Sequence, residues 1–269
     1  MINSFIFYSL LGICFFCNSC ISGNTLNENV SQNNILHIDN MGQGVCIVDS
    51  TSFSGLRLYY PSTSAIGLQV GEEPDTIENY ICFSCAASYT GTTIYGHPNS
   101  PLHIDVAGTH VESRVLHRGY ECPNNTGGFV WYPYPESSWK IVDRNEALAR
   151  LSQDSLPYTA FQQELLIHDG EIQHFMRNDR ATLYRALCNF GGQLCIIDGT
   201  RAHMLVSFVD LLKNIGVSDA LYLDMGDWSY SWYRDYPEDV EGSKVTIIQE
   251  KPDGKPYYGS NWLIFYYVN

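Results

Sequence analysis

The residues with the clearest capacity for chemistry follow the apolar segment Ala-Leu-Tyr-Leu, which ends in Asp224. Gly226, Asp227 and Ser229 come directly after it. A carboxylate at the end of a buried strand can contact a ligand, and a nearby glycine lets the backbone approach that ligand closely. The pattern indicates a binding or catalytic corner, although the same residue types are also common in ordinary turns.

The elements that must position this corner follow from hydrophobic periodicity. Apolar residues recur three and four positions apart over 205–215, which predicts a helix that packs one face on the core and ends at Gly216. Two apolar runs flank the pair Gly191-Gly192, which predicts a hairpin over 183–198. The segment 220–224 is then a short buried strand.

Short apolar segments separated by turn residues make up the rest of the chain from residue 44 onward. Residues 61–74 and 119–128 are predicted as loops, and 129–134 as an edge strand or loop interrupted by proline. Asp143 and Glu146 have the spacing of a capping box, which predicts a short helix. The remaining strands are predicted at 44–49, 56–60, 81–89, 110–116, 165–169, 245–249 and 262–268. We therefore expect one α+β domain, with a mixed, largely antiparallel sheet and a few packed helices.

Composition limits the classes of function. The chain has 269 residues, and 29 Asp and Glu against 15 Lys and Arg give a net charge of −14. A surface of that sign repels phosphate backbones and anionic lipid headgroups, which argues against nucleic-acid partners and electrostatic docking on membranes. The sequence holds no G-x-S-x-G element, and its glycine-rich loop at 124–128 lacks the Lys-Ser/Thr of a nucleotide-binding loop.

An apolar run at 5–17 precedes Cys20. It is too short to cross about 30 Å of hydrocarbon as a helix, but it suits the apolar region of a signal peptide. A small residue before Cys20 is typical of lipoprotein processing. We therefore expect a signal peptide at 1–20, lipidation of Cys20, a flexible tether at 21–43 and the folded domain at 44–269.

Export to the cell envelope, as a periplasmic or outer-membrane lipoprotein, follows from this interpretation. The only contact with a membrane would then be the N-terminal lipid. Since no Lys or Arg precedes the apolar run, an ordinary cleaved signal peptide stays open as the alternative.

The histidines and cysteines do not form a pattern of metal ligands. Four histidines recur every six or seven residues, and only His110, at the start of a predicted strand, is kept as a candidate site residue. Cys82 and Cys85 have metal or redox spacing, but they lie in an apolar strand without a second pair, which favours a buried structural role. The cysteines after Cys20 permit disulfides whose pairing the sequence does not resolve. No metal and no cofactor is expected.

Three short elements, at 86–91, at Arg185 and at 220–229, carry a resemblance to a known family. Residues 220–229 read ALYLDMGDWS and are similar to the strand end Ala-Leu-Asn-Leu-Asp-Gly-Gly-Gly-Ser of the phosphodiester glycosidase family. Arg185, followed by alanine, matches the family's Arg-Thr/Ala element, and 86–91 matches its Asn-Gly-Gly-Phe element. The resemblance covers about residues 44–268 and is strongest over 164–234.

The resemblance implies hydrolysis of a sugar-1-phosphodiester, the bond between an anomeric carbon and phosphate, in a glycan. Arg185 would hold the phosphate, because a guanidinium matches phosphate oxygens bidentately. Asp224 would stabilise or attack the oxocarbenium-like carbon, or activate water on it. Glu164, Asp198 and Asp227 stay open as the general acid. The full set of expected substrate contacts is Ser88, Thr90, Gly226, Asp227, Ser229, Arg180, Asp198, Glu164 and His110.

Departures from the family pattern leave other readings open. Ser88 stands where the family has asparagine, and Met225 and Trp228 replace small residues at the strand end. Bulky side chains there would shrink or reshape a pocket. The alternative is a divergent lipoprotein that binds glycan without cleaving it, and a third reading is a purely structural protein of the cell envelope.

Overall fold

The computed structural model describes residues 45–49, 55–61, 63, 65–70, 74–76, 80–89, 108–118, 123–133, 137–144, 148, 151, 156–175, 180–224, 231–234, 244–249 and 260–267. All of them belong to one compact unit, Leu36–Asn269. The expected signal peptide, the lipidation of Cys20 and the tether lie outside the described residues. No helix among those ranges is long and apolar enough to span a bilayer.

Seventeen strands and one α-helix make up the described part of the chain. The strands are β1 Val45–Asp49, β2 Leu56–Pro61, β3 Ala65–Val70, β4 Ile81–Tyr89, β5 Thr109–Glu112, β6 Val115–Arg118, β7 Gly127–Tyr132, β8 Ser138–Asp143, β9 Thr159–Gln163, β10 Leu165–His168, β11 Glu171–Ile172, β12 Arg185–Phe190, β13 Gln193–Gly199, β14 Val217–Leu223, β15 Ser231–Arg234, β16 Val245–Gln249 and β17 Ser260–Tyr266. The helix, α1, spans Leu205–Asn214.

The strands form three sheets. The first has seven strands in the order β1-β2-β13-β12-β14-β10-β11. The second has the order β16-β15-β4-β17-β3, and the third the order β6-β5-β9-β7-β8. Each strand pair in them is antiparallel.

The expected α+β domain with a mixed sheet and a few packed helices is therefore wrong, because the protein is nearly all antiparallel β-structure. One reason is that segments predicted as loops form strands. Residues 65–70 form β3 inside the predicted loop 61–74, and β9 was not anticipated. Asp143, the predicted helix cap, is instead the last residue of β8.

Two predicted strands also differ in detail. The segment 110–116 is a hairpin rather than one strand, because Ser113 and Arg114 adopt positive φ angles of 49° and 67° and reverse the chain between β5 and β6. Of the aromatic segment 129–134, residues 129–132 lie inside the third sheet, where β7 pairs with both β8 and β9. Its proline follows the last strand residue and removes no bond from the ladder.

The elements around Asp224 form as predicted. Gly191 and Gly192 have φ angles of 61° and 79°, as a two-residue hairpin turn requires, and β12 and β13 pair on either side. Helix α1 ends where Gly216 takes a φ of 93° and donates its N–H to Lys213 O at 3.0 Å. Strand β14 then returns the chain to the end of the sheet where β13 finished.

The main core lies where the inner faces of the three sheets meet. The first sheet contributes Tyr59 and Leu187, the second Phe83, and the third Phe129 and Phe161, all fully buried. The other face of the first sheet is covered by α1, whose buried side chains are Leu205, Phe208, Val209 and Leu212. Burial on both faces accounts for the nearly continuous apolar runs of β12, β13 and β14.

Candidate functional site

The three sheets meet at the backbone carbonyl of Ala87, in β4. It accepts hydrogen bonds from Gln163 Nε2 at 3.1 Å and from the backbone N–H of Asp224 at 3.3 Å. Gln163 is the last residue of β9 in the third sheet, and Asp224 directly follows β14 in the first. One carbonyl therefore ties together the ends of strands from all three sheets.

Two carboxylates belong to this junction. Asp224 is nine per cent exposed, and Glu164, between β9 and β10, is fully buried. The backbone of Glu164 is fixed at both ends: its N–H donates to Gln163 Oε1 at 3.0 Å, and its carbonyl accepts from Tyr222 N–H at 2.9 Å. Since Tyr222 lies two residues before Asp224, the backbones of both residues lie at the same corner.

Ser88 reaches this corner because β4 contains a bulge at Ala87. Ala86 lies opposite Trp262 in β17, but Ser88 lies opposite the adjacent Asn261. Neighbouring residues of β17 point to opposite faces of the sheet, so Ala86 and Ser88, which would share a face in a regular strand, are separated. Ser88 is thereby placed on the inner face of the second sheet, where the sheets meet.

Asn261 is a site residue that the sequence reading missed. Its side-chain amide donates from Nδ2 to Ser88 Oγ at 2.9 Å, and both residues are buried. Because Ser88 Oγ accepts in this bond, its hydroxyl proton points toward some other acceptor. Asn261 Oδ1 has no hydrogen-bond partner among the residues described. No local signal identifies Asn261, since it meets Ser88 only through the pairing of strands far apart in the chain.

Arg185 and Asp198 form a buried ion pair across β12 and β13. Nε lies 2.6 Å from Oδ1 and Nη2 lies 2.7 Å from Oδ2, and Nη2 also donates to Ser231 Oγ at 2.8 Å. Arg185 is fully buried. Burial alone lowers its pKa, but the charge and hydrogen bonds of Asp198 outweigh burial and raise the pKa above its usual value. The pair also links the first sheet to the second, through β15.

A second arginine lies on the same row of the first sheet. Arg57, in β2, is directly opposite Asp198, which is in turn opposite Arg185. Tyr59, two residues along β2, has its pKa raised to about 12 by burial and by the charge of Asp198, although a hydrogen bond from Arg57 opposes this. The sequence marks Arg57 only as a charged residue inside the otherwise apolar run Leu-Arg-Leu-Tyr-Tyr.

The junction and the ion pair are adjacent. Leu223 lies opposite Arg185, so Asp224 is one residue beyond the partner of the arginine. Ser231, which Arg185 contacts, lies opposite Cys85 on the same face as Ser88. The structure thus gathers five of the predicted site residues at one corner: Ser88, Glu164, Arg185, Asp198 and Asp224.

Other predicted site residues lie elsewhere. Arg180 is exposed, and its carbonyl accepts a hydrogen bond from Tyr184 at 2.7 Å. His110 is inside the third sheet, opposite Phe161, with its ring stacked on His117 at 4.6 Å. Burial and the neighbouring His117 lower the pKa of His110 to about 3. Outside the described residues lie Thr90, Gly226, Asp227 and Ser229.

One group of side chains in the described part of the chain has the spacing of metal ligands. Ligand atoms of His168, Asp169 and Asp219 lie within 4.8 Å of one another. The carboxylate of Asp219 already takes part in hydrogen bonds with His168 Nδ1 at 3.0 Å, Asp169 N–H at 3.2 Å and Asn189 Nδ2 at 2.9 Å. These contacts account for the group as an anchor of the β10–β11 turn, and we assign no metal to it.

Comparisons with known proteins yield similarity at the level of the fold. No family model matches the chain, and no curated protein matches it. Among solved structures, it is similar to the catalytic domain of zebrafish N-acetylglucosamine-1-phosphodiester alpha-N-acetylglucosaminidase, auto-inhibited by its pro-peptide, with a TM-score of 0.48 and 16% identity over 84% of this chain and 83% of that one. It is also similar to a hypothetical protein from Synechocystis, with a TM-score of 0.50 and 8% identity over 82% of this chain and 61% of that one.

Proposed function

We propose that the chain is an exported hydrolase of the phosphodiester glycosidase type, which cleaves a sugar-1-phosphodiester bond in a glycan. The observation that carries the proposal is the junction at Ala87, whose carbonyl binds the N–H of Asp224 and the side chain of Gln163, the neighbour of Glu164. Ser88 follows Ala87 in the chain, and Arg185 lies opposite Leu223, the residue before Asp224. Paired carboxylates are the usual machinery for reaction at an anomeric carbon. The resemblance of residues 220–229 to the family's strand end supports the same activity.

In the proposed reaction the bond between C1 and the bridging oxygen breaks, and the phosphate leaves with the electron pair. Asp224 stabilises or attacks the positive charge that develops at C1. Water then adds to C1, displacing Asp224 where the two have bonded, and its proton passes to a carboxylate, for which Glu164 is the candidate at the junction. The products are a free sugar and a phosphomonoester. A phosphate is a good leaving group, so the reaction makes little demand on a general acid.

Arg185 takes the phosphate in this proposal by exchange. Its Nε and Nη2 edge is bound to Asp198, and carboxylate and phosphate oxygens both match that edge. A substrate phosphate would displace Asp198, whose carboxylate would then be released beside the leaving group. Binding of substrate would thus be coupled to a change in the partner of Arg185.

The closed ion pair also favours a second candidate, a protein that binds glycan without cleaving it. If Asp198 is never displaced, Arg185 keeps its contacts and only links the first and second sheets through Ser231. The carboxylates and the Ser88–Asn261 pair would then serve as hydrogen-bonding groups for sugar hydroxyls. Binding of a glycan with no release of product is the result that separates this candidate from the hydrolase.

The experiment that tests the hydrolase uses the full chain and the methyl phosphodiesters of glucose-1-phosphate, mannose-1-phosphate and N-acetylglucosamine-1-phosphate. In ¹⁸O-labelled water the label should enter the sugar, because the C1–O bond breaks. Asp224→Asn should lose at least 100-fold in kcat, in the range seen when a group that stabilises the transition state is removed. Asp210→Asn, which changes an exposed carboxylate on α1, is the control and should retain full activity.

Two results would contradict this assignment. Full activity of Asp224→Asn would show that this carboxylate takes no part in catalysis. Label found in phosphate rather than sugar would show cleavage of the P–O bond, which is a different reaction class.

Export and lipidation of Cys20 belong to the same proposal, supported by the apolar run at 5–17. Cells that express the full chain should incorporate radiolabelled palmitate into it, and Cys20→Ser should abolish the label. Cys17→Ser is the matched control, because it removes a cysteine before the proposed cleavage point. Equal labelling of both variants would contradict lipidation at Cys20.

A further inference from the structure

A cavity of about 360 Å³ lies at the opposite end of the first sheet from Asp224. It is bounded by the start of β3, the paired strands β7 and β8, and the turn of the β12–β13 hairpin. Strand β13 runs from this cavity, at Gln193, to the ion pair, at Asp198. At about 3.3 Å per residue the two sites are roughly 17 Å apart along the strand, so the cavity is separate from the junction.

Two tryptophans give the cavity its aromatic lining. Trp131 and Trp139 are directly opposite in β7 and β8, so both side chains lie on one face of the third sheet. The ring of Trp131 is held in place: its Nε1 donates to Ser137 Oγ at 3.2 Å, and it packs edge-on against Tyr158 at 5.4 Å. Trp139 is half-buried. Trp131 therefore forms a fixed part of this aromatic wall.

The described lining contains no charged side chain, although the chain carries a net charge of −14. Its polar groups are a half-buried amide, Gln193, and two hydroxyls: that of Ser137, and that of Thr63, which already bonds the carbonyl of Tyr266 at 2.9 Å. Ser137 and Gly192 are exposed, so the cavity reaches the surface on that side. Its volume falls within the range of small-molecule sites, about 300–1,000 Å³.

This combination selects one class of ligand. Aromatic rings pack on the apolar C–H faces of sugars, while amide and hydroxyl groups pair with sugar hydroxyls. A lining without charge offers no partner to a phosphate or carboxylate, and burying either unpaired is costly. We propose that the cavity binds a neutral saccharide unit, at a site separate from the junction. This inference does not depend on hydrolysis at Asp224.

The test measures binding of maltose, cellobiose and N,N′-diacetylchitobiose to the full chain by calorimetry and by saturation-transfer NMR. At least one should bind with a Kd below about 10 mM, and Trp139→Ala should weaken it at least tenfold. Tyr80→Ala is the aromatic control, because Tyr80 is exposed and stacks on Tyr266 outside the cavity. It should bind as the unmodified chain does.

A second pair of variants covers the case in which Trp139→Ala fails to fold. Gln193→Arg places a longer, charged side chain at the cavity and should abolish binding. Gln173→Arg makes the same change directly after β11, away from the cavity, and should leave binding intact. Binding should also survive in Asp224→Asn, so that failure of the hydrolase proposal and failure of this one are distinguishable.

Three outcomes would overturn the inference. One is that no neutral disaccharide binds at 20 mM. Another is that binding occurs but is unchanged in both Trp139→Ala and Gln193→Arg, which would place the sugar elsewhere. The third is that only an uncharged apolar compound such as naphthalene occupies the cavity, which would mark it as an apolar site.

Discussion

Arg185 holds Asp198 by two hydrogen bonds, of 2.6 and 2.7 Å, across the hairpin that joins β12 to β13. The cation expected to bind phosphate and one of the candidate acids are therefore a single unit. Their charges cancel within it, and the remaining carboxylates at the corner are those of Asp224 and Glu164. An anionic ligand that binds Arg185 must therefore rearrange the ion pair first.

The first prediction concerns the stability of this pair. Removal of either partner alone should lower the free energy of unfolding by about 3–5 kcal/mol, because the other charge is left buried without compensation. Arg185→Met and Asp198→Leu should show this in urea unfolding followed by circular dichroism. The double variant should be more stable than either single one, and a loss below about 1 kcal/mol in both single variants would contradict the buried pairing.

The second prediction concerns Gln163, which bonds both Ala87 and Glu164. Gln163→Leu leaves a buried carbonyl and a buried N–H without this partner, so we expect a loss of about 1–3 kcal/mol in the free energy of unfolding. Gln173→Leu, at a less buried position, is the matched control and should cost less than about 0.5 kcal/mol. Equal stability of the two variants would show that the side chain of Gln163 does not stabilise the junction.

The third prediction concerns the pH dependence that His110 imposes. Its pKa is about 3 in the folded chain, because it is buried beside His117, against about 6.5 in an unfolded chain. Below pH 6.5 the unfolded state binds a proton that the folded state does not, so stability falls as the pH falls. Between pH 7 and pH 5 the loss from this residue should be about 2 kcal/mol.

His110→Gln should remove that part of the pH dependence, while the exposed-site variant His174→Gln should retain it. The measurement is urea unfolding of the three proteins at both pH values. An identical pH slope in His110→Gln and the unmodified chain would show that His110 is accessible to protons in the folded state.

The fourth prediction concerns thiol reactivity. Cys82, Cys85, Cys188 and Cys195 are free and buried, and burial raises the pKa of each thiol, to about 12 for Cys85. The thiolate is the reactive form, so none of the four should react with iodoacetamide at pH 8 in the folded chain. Peptide mapping should find all four labelled after denaturation. An introduced Ser207→Cys, on the exposed face of α1, is the positive control; labelling of any native one of the four at a similar rate would contradict their burial.

Local patterns predicted the elements around Asp224 because each carries its own signal. The Gly191-Gly192 turn, the periodicity of α1 and the apolar run before Asp224 are all short-range features. Local sequence patterns were insufficient where pairing with distant strands decides the structure. Strand β9 has no distinctive alternation because all five of its residues are buried. Strand β3 lies in a stretch whose turn residues predicted a loop.

The site shows the same limit. Arg185, Asp198, Asp224, Glu164 and Ser88 were chosen from residue type and resemblance, and the fold does bring them to one corner. What the sequence could not supply was the bulge at Ala87, which re-aims Ser88, and the partner that holds it. Asn261 is separated from Ser88 by 173 positions, and its role depends on the register of β17. Neither feature has a local signature.

The register of β17 also sets the order in which the protein can be assembled. This strand lies between β3 and β4 in the second sheet, so these two strands must wait during synthesis for a partner that follows them in the chain. A hydrogen bond from Thr63 to the carbonyl of Tyr266 spans 203 positions. Contacts of such separation are slow to form, and the waiting strands keep unpaired edges exposed on the nascent chain. The Ala87 junction, which depends on β4, is therefore completed only after β17 has been made.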